Sequence, residues 1–102
     1  AAEEEYKKEL DINPANTDTL LNLGILYYHH KKNFEEAKET WERALAINSN
    51  VAKAHEYLAI YFYEREQDIE KTIYHINEVL KRGGKVQQGL QEIYDMIDTW
   101  KP

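Results

Sequence analysis

Leu20-Leu21-Asn22-Leu23-Gly24-Ile25-Leu26-Tyr27-Tyr28 decides the fold, because its pattern returns 35 positions later. That step carries Leu20, Leu23, Gly24 and Tyr27 onto His55, Leu58, Ala59 and Phe62, and once more onto Leu90, Ile93, Tyr94 and Ile97. The residues that follow obey it too. Trp41, Leu45 and Ile47 answer to Tyr6, Leu10 and Ile12 behind them, and Trp41, Ala44 and Leu45 to Ile76, Val79 and Leu80 ahead. A period of this length is made by stacked helix pairs, each burying its apolar face against its neighbours. Such a stack presents an extended ridged surface suited to holding a partner. Chemistry would need a separate pocket.

Outward from that stretch the periodicity is helical throughout. Leu20, Leu23, Gly24 and Tyr27 fall at i, i+3, i+4 and i+7, and Ala37, Trp41, Ala44 and Leu45 make a similar stripe. Asn13, Pro14 and Asn16 break the chain before Thr17 or Asp18, the expected caps, and Asn48 to Asn50 break it again. Gly83 and Gly84 mark a third stop. Short polar links at Lys31 to Asn33 and Glu66 to Asp68 split each unit in two. The spacing predicts six helices, over Ala2 to Ile12, Thr17 to Lys31, Phe34 to Ile47, Val51 to Glu66, Ile69 to Arg82 and Val86 to Trp100. Connections this short make neighbours antiparallel. Leu23, Gly24, Tyr27, Trp41, Leu45, Leu58, Ala59, Phe62, Ile76 and Leu80 are the expected core. Gly24 and Ala59 are read as sites where helices cross closely because a side chain is missing.

These residues resemble the tetratricopeptide repeat family. The resemblance lies in Leu-Asn-Leu-Gly-x-x-Tyr-Tyr at Leu21 to Tyr28, then Phe34, Glu36-Ala37, Trp41, Ala44-Leu45 and Ile47, with Asn-Pro-Ala-Asn at Asn13 to Asn16. A weaker second unit keeps Leu58-Ala59, Phe62-Tyr63, Ile69 and Leu80. The resemblance implies an all-α, right-handed superhelix of antiparallel helix pairs forming one domain. Residues 1–14 are the second helix of a partial repeat, 17–50 and 52–84 are repeats, and 86–100 is a capping helix. Each unit has 35 residues where the family usually has 34, the extra one expected in the turn within the unit. Thr72 and Val79 replace small alanines, Ser49 replaces a proline, and His55 stands where a bulky apolar residue is usual. The start at Ala1, inside a repeat, is read as an excerpt of a longer protein.

Composition narrows the function. The 102 residues carry a net charge of −6, which disfavours phosphate-backbone binding because each such contact requires a cation. No apolar run is long enough to span a bilayer, so neither nucleic acid nor a membrane is an expected partner. Without cysteine there are no disulfides or thiolate metal sites. The compartment stays open, with a cytoplasmic location favoured because the acidic start does not resemble a signal peptide.

Candidate chemistry is sparse. His29 and His30 are adjacent on a helix and diverge by about 100°, so they do not share an ion. His55 and His75 lack a ligand partner at helical spacing, so no metal or other cofactor is expected. Glu3 to Glu5, Glu35, Glu36 and Glu39 sit at solvated phases, and no phosphate loop or nucleophile motif occurs. The expectation is a protein without enzymatic activity or a small-molecule substrate.

By the resemblance, the first helix of each repeat lines a concave groove. The phases left free of packing there are Asp18, Leu21, Asn22, Ile25, Tyr28 and His29 in one unit, and Lys53, Glu56, Tyr57, Ile60, Tyr63 and Glu64 in the next. Leu21, Asn22, Ile25, Tyr28, Lys53, Glu56, Tyr57, Ile60, Tyr63 and Glu64 are therefore the candidate partner-binding residues, an apolar and aromatic stripe. One further step gives Gln88, Gln91, Glu92, Asp95, Asp98 and Thr99, the polar face of a terminal cap. Ile25 and Ile60 stand where a chaperone-tail clamp wants an asparagine, which disfavours that ligand. The expected function is a protein-interaction module that binds a peptide or helical segment as a scaffold or adaptor. Two alternatives stay open: self-association into a homo-oligomer through the open N-terminal end, and RNA binding in the manner of pentatricopeptide repeats.

Overall fold

Three of the helices begin where a polar side chain takes over an orphan backbone N–H. Asn16 accepts from Thr19 N (3.2 Å), Asn33 from Glu36 N (3.4 Å) and Asp68 from Lys71 N (3.1 Å). The computed structural model describes residues 2–100, with side chains over 2–96. Its six helices are α1 (Ala2–Ile12), α2 (Thr17–Ile25), α3 (Phe34–Ile47), α4 (Ala52–Tyr61), α5 (Ile69–Lys81) and α6 (Gln88–Trp100). Among the described residues there is no strand, so the fold is all-α. The cap of α2 is Asn16, not Thr17 or Asp18: its extended backbone, with ψ at 95°, lets the side chain fold back onto Thr19.

The sequence spacing predicts unbroken helices to Lys31 and Glu66. Instead α2 and α4 each end in a wide π-turn, at Leu26–His30 and Phe62–Glu66. Lys31 N–H donates to Leu26 O (3.1 Å), and Gln67 N–H donates to Phe62 O, both across five residues. Asn33 N–H then donates to Tyr27 O (2.8 Å) and Asp68 N–H to Phe62 O (3.0 Å), two bonds related by the same 35-residue step. Lys32 (φ 54°) and Gln67 (φ 52°) bend the chain through the left-handed region. The turn within each unit is thus a widened one in both.

Consecutive helices pack in sequence, α1 on α2, α2 on α3, α3 on α4, α4 on α5 and α5 on α6, giving a body of 50 × 26 × 19 Å. The short links make these neighbours antiparallel. Leu20, Trp41, Leu58, Ile76, Val79 and Thr72 are almost wholly shielded from water. Thr72 is tolerated inside because its hydroxyl donates to Asp68 O (2.8 Å). Gly24 lies directly against the Trp41 indole, whose Nε1–H donates to Leu21 O (3.3 Å). In the second unit the corresponding pair, Ala59 and Ile76, is fully buried with Leu90 in one cluster. Here a smaller partner leaves room for the alanine methyl.

Two expected core residues are not buried. Leu80 is 38 % exposed and Leu45 is half-buried. Each follows a residue that takes the inward position, Val79 and Ala44, and a further 100° of helical rotation carries it to the edge of the interface. At the far end of α5, Gly84 N–H donates to Val79 O (3.0 Å) and Gly83 N–H to Leu80 O (3.0 Å). With Gly83 at φ 75° this is the Schellman ending that the double glycine signals. Ile97, Asp98 and Thr99 have side chains outside the described set.

Candidate ligand-binding face

The stripe read from sequence divides in two. Leu21 is 8 % exposed, inside the main core, and Tyr28 is 5 % exposed. The Tyr28 ring meets Phe34 edge-on at 5.0 Å and Trp41 at 5.6 Å, and its hydroxyl donates to Glu64 Oε1 (2.5 Å). Burial, reinforced by that carboxylate, pushes the Tyr28 phenol well above its usual range, so it remains a neutral donor. Tyr28 therefore joins the first π-turn to the second rather than offering a free contact. Tyr57, 5.3 Å from the Trp41 ring, and Ile25 are half-buried against the same core. Glu56 is 8 % exposed. Leu21, Tyr28 and Glu56 are therefore corrected: adjoining helices cover the flank that a single helix seen alone would leave open.

Ile60 and Tyr63 remain half-accessible, while Glu64, Asn22 and Lys53 are exposed. Ile60, Tyr63 and Glu64 form one wall of a cleft of about 180 Å³, and Gln87, Gly89, Leu90 and Ile93 of α6 and its approach form the other. A neighbouring cleft of about 440 Å³ shares Tyr63 and Glu64 and continues past Arg65, Gln67 and Ile69. Arg65 is held with its guanidinium 4.3 Å above the Phe34 ring, and Lys38 pairs with Glu66 (3.6 Å), so the second π-turn is tied to α3. A third cleft, about 550 Å³ where α1, α2 and α3 meet, is walled by both signs of charge, Lys7 and Arg43 with Asp11 and Glu36.

The α6 wall is missing from the sequence reading, which treats the last helix as a polar cap. Of the expected polar residues of this helix, Gln88 is bonded to Glu92 (3.2 Å) and Gln91 to Asp95 (2.9 Å), and Met96 is exposed beside them. Its inward pair Leu90 and Ile93 shares the spacing of Leu20 and Leu23, and that spacing was the available signal. A second omission is the contact between His55 and His75, whose Nδ1 atoms lie 3.0 Å apart across α4 and α5. Helical spacing within one segment cannot reveal a pair formed between two. His55 Nε2 lies 3.3 Å from Ser49 O, which only accepts, so His55 carries its hydrogen there and its Nδ1 accepts from His75 Nδ1–H. Phe62 stacks on His75 at 5.5 Å and 5°.

Among the described residues no group of three histidine, aspartate or glutamate side chains is placed to hold a metal, and no helix is long and apolar enough to cross a membrane. No family model and no curated protein matches the chain.

Proposed function

We propose that the chain is a tetratricopeptide-like protein-interaction module, a scaffold or adaptor that holds an extended or helical segment of a partner protein in the cleft between α4 and α6. The observation that carries this reading is the cleft's lining: Ile60, Tyr63 and Ile93 leave apolar surface accessible around the buried Leu90, at the seam between α4 and α6. The other exposed large apolar side chains, Ile12, Ile47, Ile69, Tyr74, Leu80 and Met96, do not line this cleft. Half-accessible aromatic and branched side chains on rigid helices bind at low entropic cost.

The two alternatives gain no such observation. The exposed side chains of α1 are mostly charged, Glu4, Glu5, Lys8 and Asp11 among them, and its one exposed large apolar residue, Ile12, stands at the helix end. Glu64 in the cleft and a net charge of −6 oppose an RNA backbone.

Selection of random peptides on phage against the immobilised chain tests the proposal. Enriched peptides should lose capture by Ile60→Ala and by Tyr63→Ala, but not by Tyr74→Ala, which truncates an exposed tyrosine of α5. Enrichment indifferent to both cleft variants would place the binding face elsewhere.

A further inference from the structure

The α4–α6 cleft has one sign of charge. Its lining contains a single ionisable carboxylate, Glu64, and no cation. One Glu64 oxygen accepts the Tyr28 hydroxyl, and Oε2 has no hydrogen bond or ion pair among the described residues. The nearest cation in sequence, Arg65, stacks on the Phe34 ring and reaches the Tyr28 hydroxyl, and it makes no ion pair with Glu64. Glu56 lies one turn before Ile60 on the same face of α4. The residue as a whole is 8 % exposed, and it stands outside the lining of the cleft.

Size and lining specify the occupant further. A volume of about 180 Å³ accommodates one long side chain rather than a length of backbone. Ile60, Tyr63, Leu90 and Ile93 would cover an aliphatic stem, and the carboxylate stands ready for a charged head. Lysine and arginine are the residues built this way, with an apolar stem and a terminal charge. We infer that the cleft is an anchor site for one lysine or arginine of the partner segment, the stem against Ile60, Tyr63 and Ile93 and the head on Glu64. The overall charge of −6 steers such a basic segment toward the chain.

This inference rests on the proposed function, and the same phage selection separates the two. Peptides enriched on the parent should share one basic residue beside apolar ones. Glu64→Gln keeps an oxygen to accept from Tyr28 while removing the charge, so it should weaken capture of those peptides about tenfold. Replacing the shared basic residue with norleucine should do the same on the parent and have little further effect on Glu64→Gln. Circular dichroism and thermal melting establish that each variant is folded. Peptides that require Ile60 and Tyr63 yet show no basic position and ignore Glu64→Gln would overturn the anchor chemistry and leave the binding face standing. No enrichment, or enrichment indifferent to Ile60→Ala and Tyr63→Ala, would overturn both.

Discussion

Gly24 and Trp41 are packed so closely that a Cβ built at position 24 would lie 2.2 Å from the indole Nε1 and 2.6 Å from Cδ1. The indole cannot withdraw easily. It is 2 % exposed, flanked by Tyr28 and Tyr57, and bonded through Nε1–H to Leu21 O. Even a methyl group should therefore force the α2–α3 crossing apart. Gly24→Ala is expected to cost ~1–3 kcal/mol despite the ~1 kcal/mol that alanine gains in helix propensity. Combining it with Trp41→Phe should cost less than the sum of the two single variants, because the smaller ring vacates the space the methyl needs. Urea unfolding of the four proteins gives the coupling. Additive costs would mean that the crossing yields elsewhere.

The His55–His75 contact makes stability depend on pH. Burial holds His75 down to about 4, helped by His55 and Lys71 and opposed by Glu78. Burial also lowers His55, with Arg82 adding to it and the Ser49 carbonyl and Glu78 opposing. The unfolded chain takes up these protons near the ordinary value of 6.5, so between 6.5 and about 4 it binds more protons than the folded chain. Stability is therefore complete above about 6.5 and is lost as pH falls toward 4, by ~1–2 kcal/mol after allowance for solvent screening. Glu3, which hydrogen bonds from Lys31 and Lys7 hold at about 2, acts in a lower window, below its ordinary 4.5. Melting temperature measured from pH 7.5 to 4.5 should fall in the parent and fall less steeply in His75→Gln, where only the His55 contribution is left. Parallel curves for the two would exclude His75 as a cause.

Lys32 and Gln67 sit in the left-handed region that closes the two π-turns, a conformation in which a Cβ is crowded. Glycine at either position removes that strain while loosening the unfolded chain, and the balance should favour the folded state by ~0.5–1 kcal/mol. Lys32→Gly and Gln67→Gly should each raise the urea midpoint, whereas Asn33→Ala and Asp68→Ala should lower it by removing helix caps. A lower midpoint for both glycine variants would show that the side chains at these turns contribute more than their backbone strain costs.

The 35-residue step and the polar breaks were enough to place six helices, with α1 and α3 correct to the residue, because Asn33 and the Asn48–Asn50 run are local signals. The Gly24–Trp41 crossing was readable for a similar reason: one missing side chain opposite one large one leaves few arrangements. The proposed binding face was less readable. Tyr28 lies inside the π-turn, where the rotation per residue departs from 100°, so extending the α2 periodicity aims it at the wrong surface. Glu56 and Leu21 depend on how neighbouring helices cover them, and nothing in one helix's period encodes that. Leu90 and Ile93 were visible as a pair, yet only the packing of α6 beside α4 turns them into a wall.

Tyr28 and Tyr63 differ by the same step of 35 residues, and the structure gives them different surroundings. Tyr28 is ringed by Phe34, His29 and Trp41, and Tyr63 borders two clefts. Tyr28→Ala should empty a core site and cost ~3–5 kcal/mol, a large share of the ~5–15 kcal/mol that holds a domain of this size together. Tyr28→Phe keeps the ring packing and loses only the bond to Glu64, about 0.5–1.5 kcal/mol. Tyr63→Ala should leave stability within about 1 kcal/mol of the parent, because the side chain is half-accessible, while lowering peptide capture by a factor of roughly 5 to 150. Urea melts read the first quantity and capture of phage-selected peptides the second. If Tyr28→Ala unfolds at the parent's midpoint, or if Tyr63→Ala captures peptide as tightly as the parent, the division between packing face and binding face has been drawn in the wrong place.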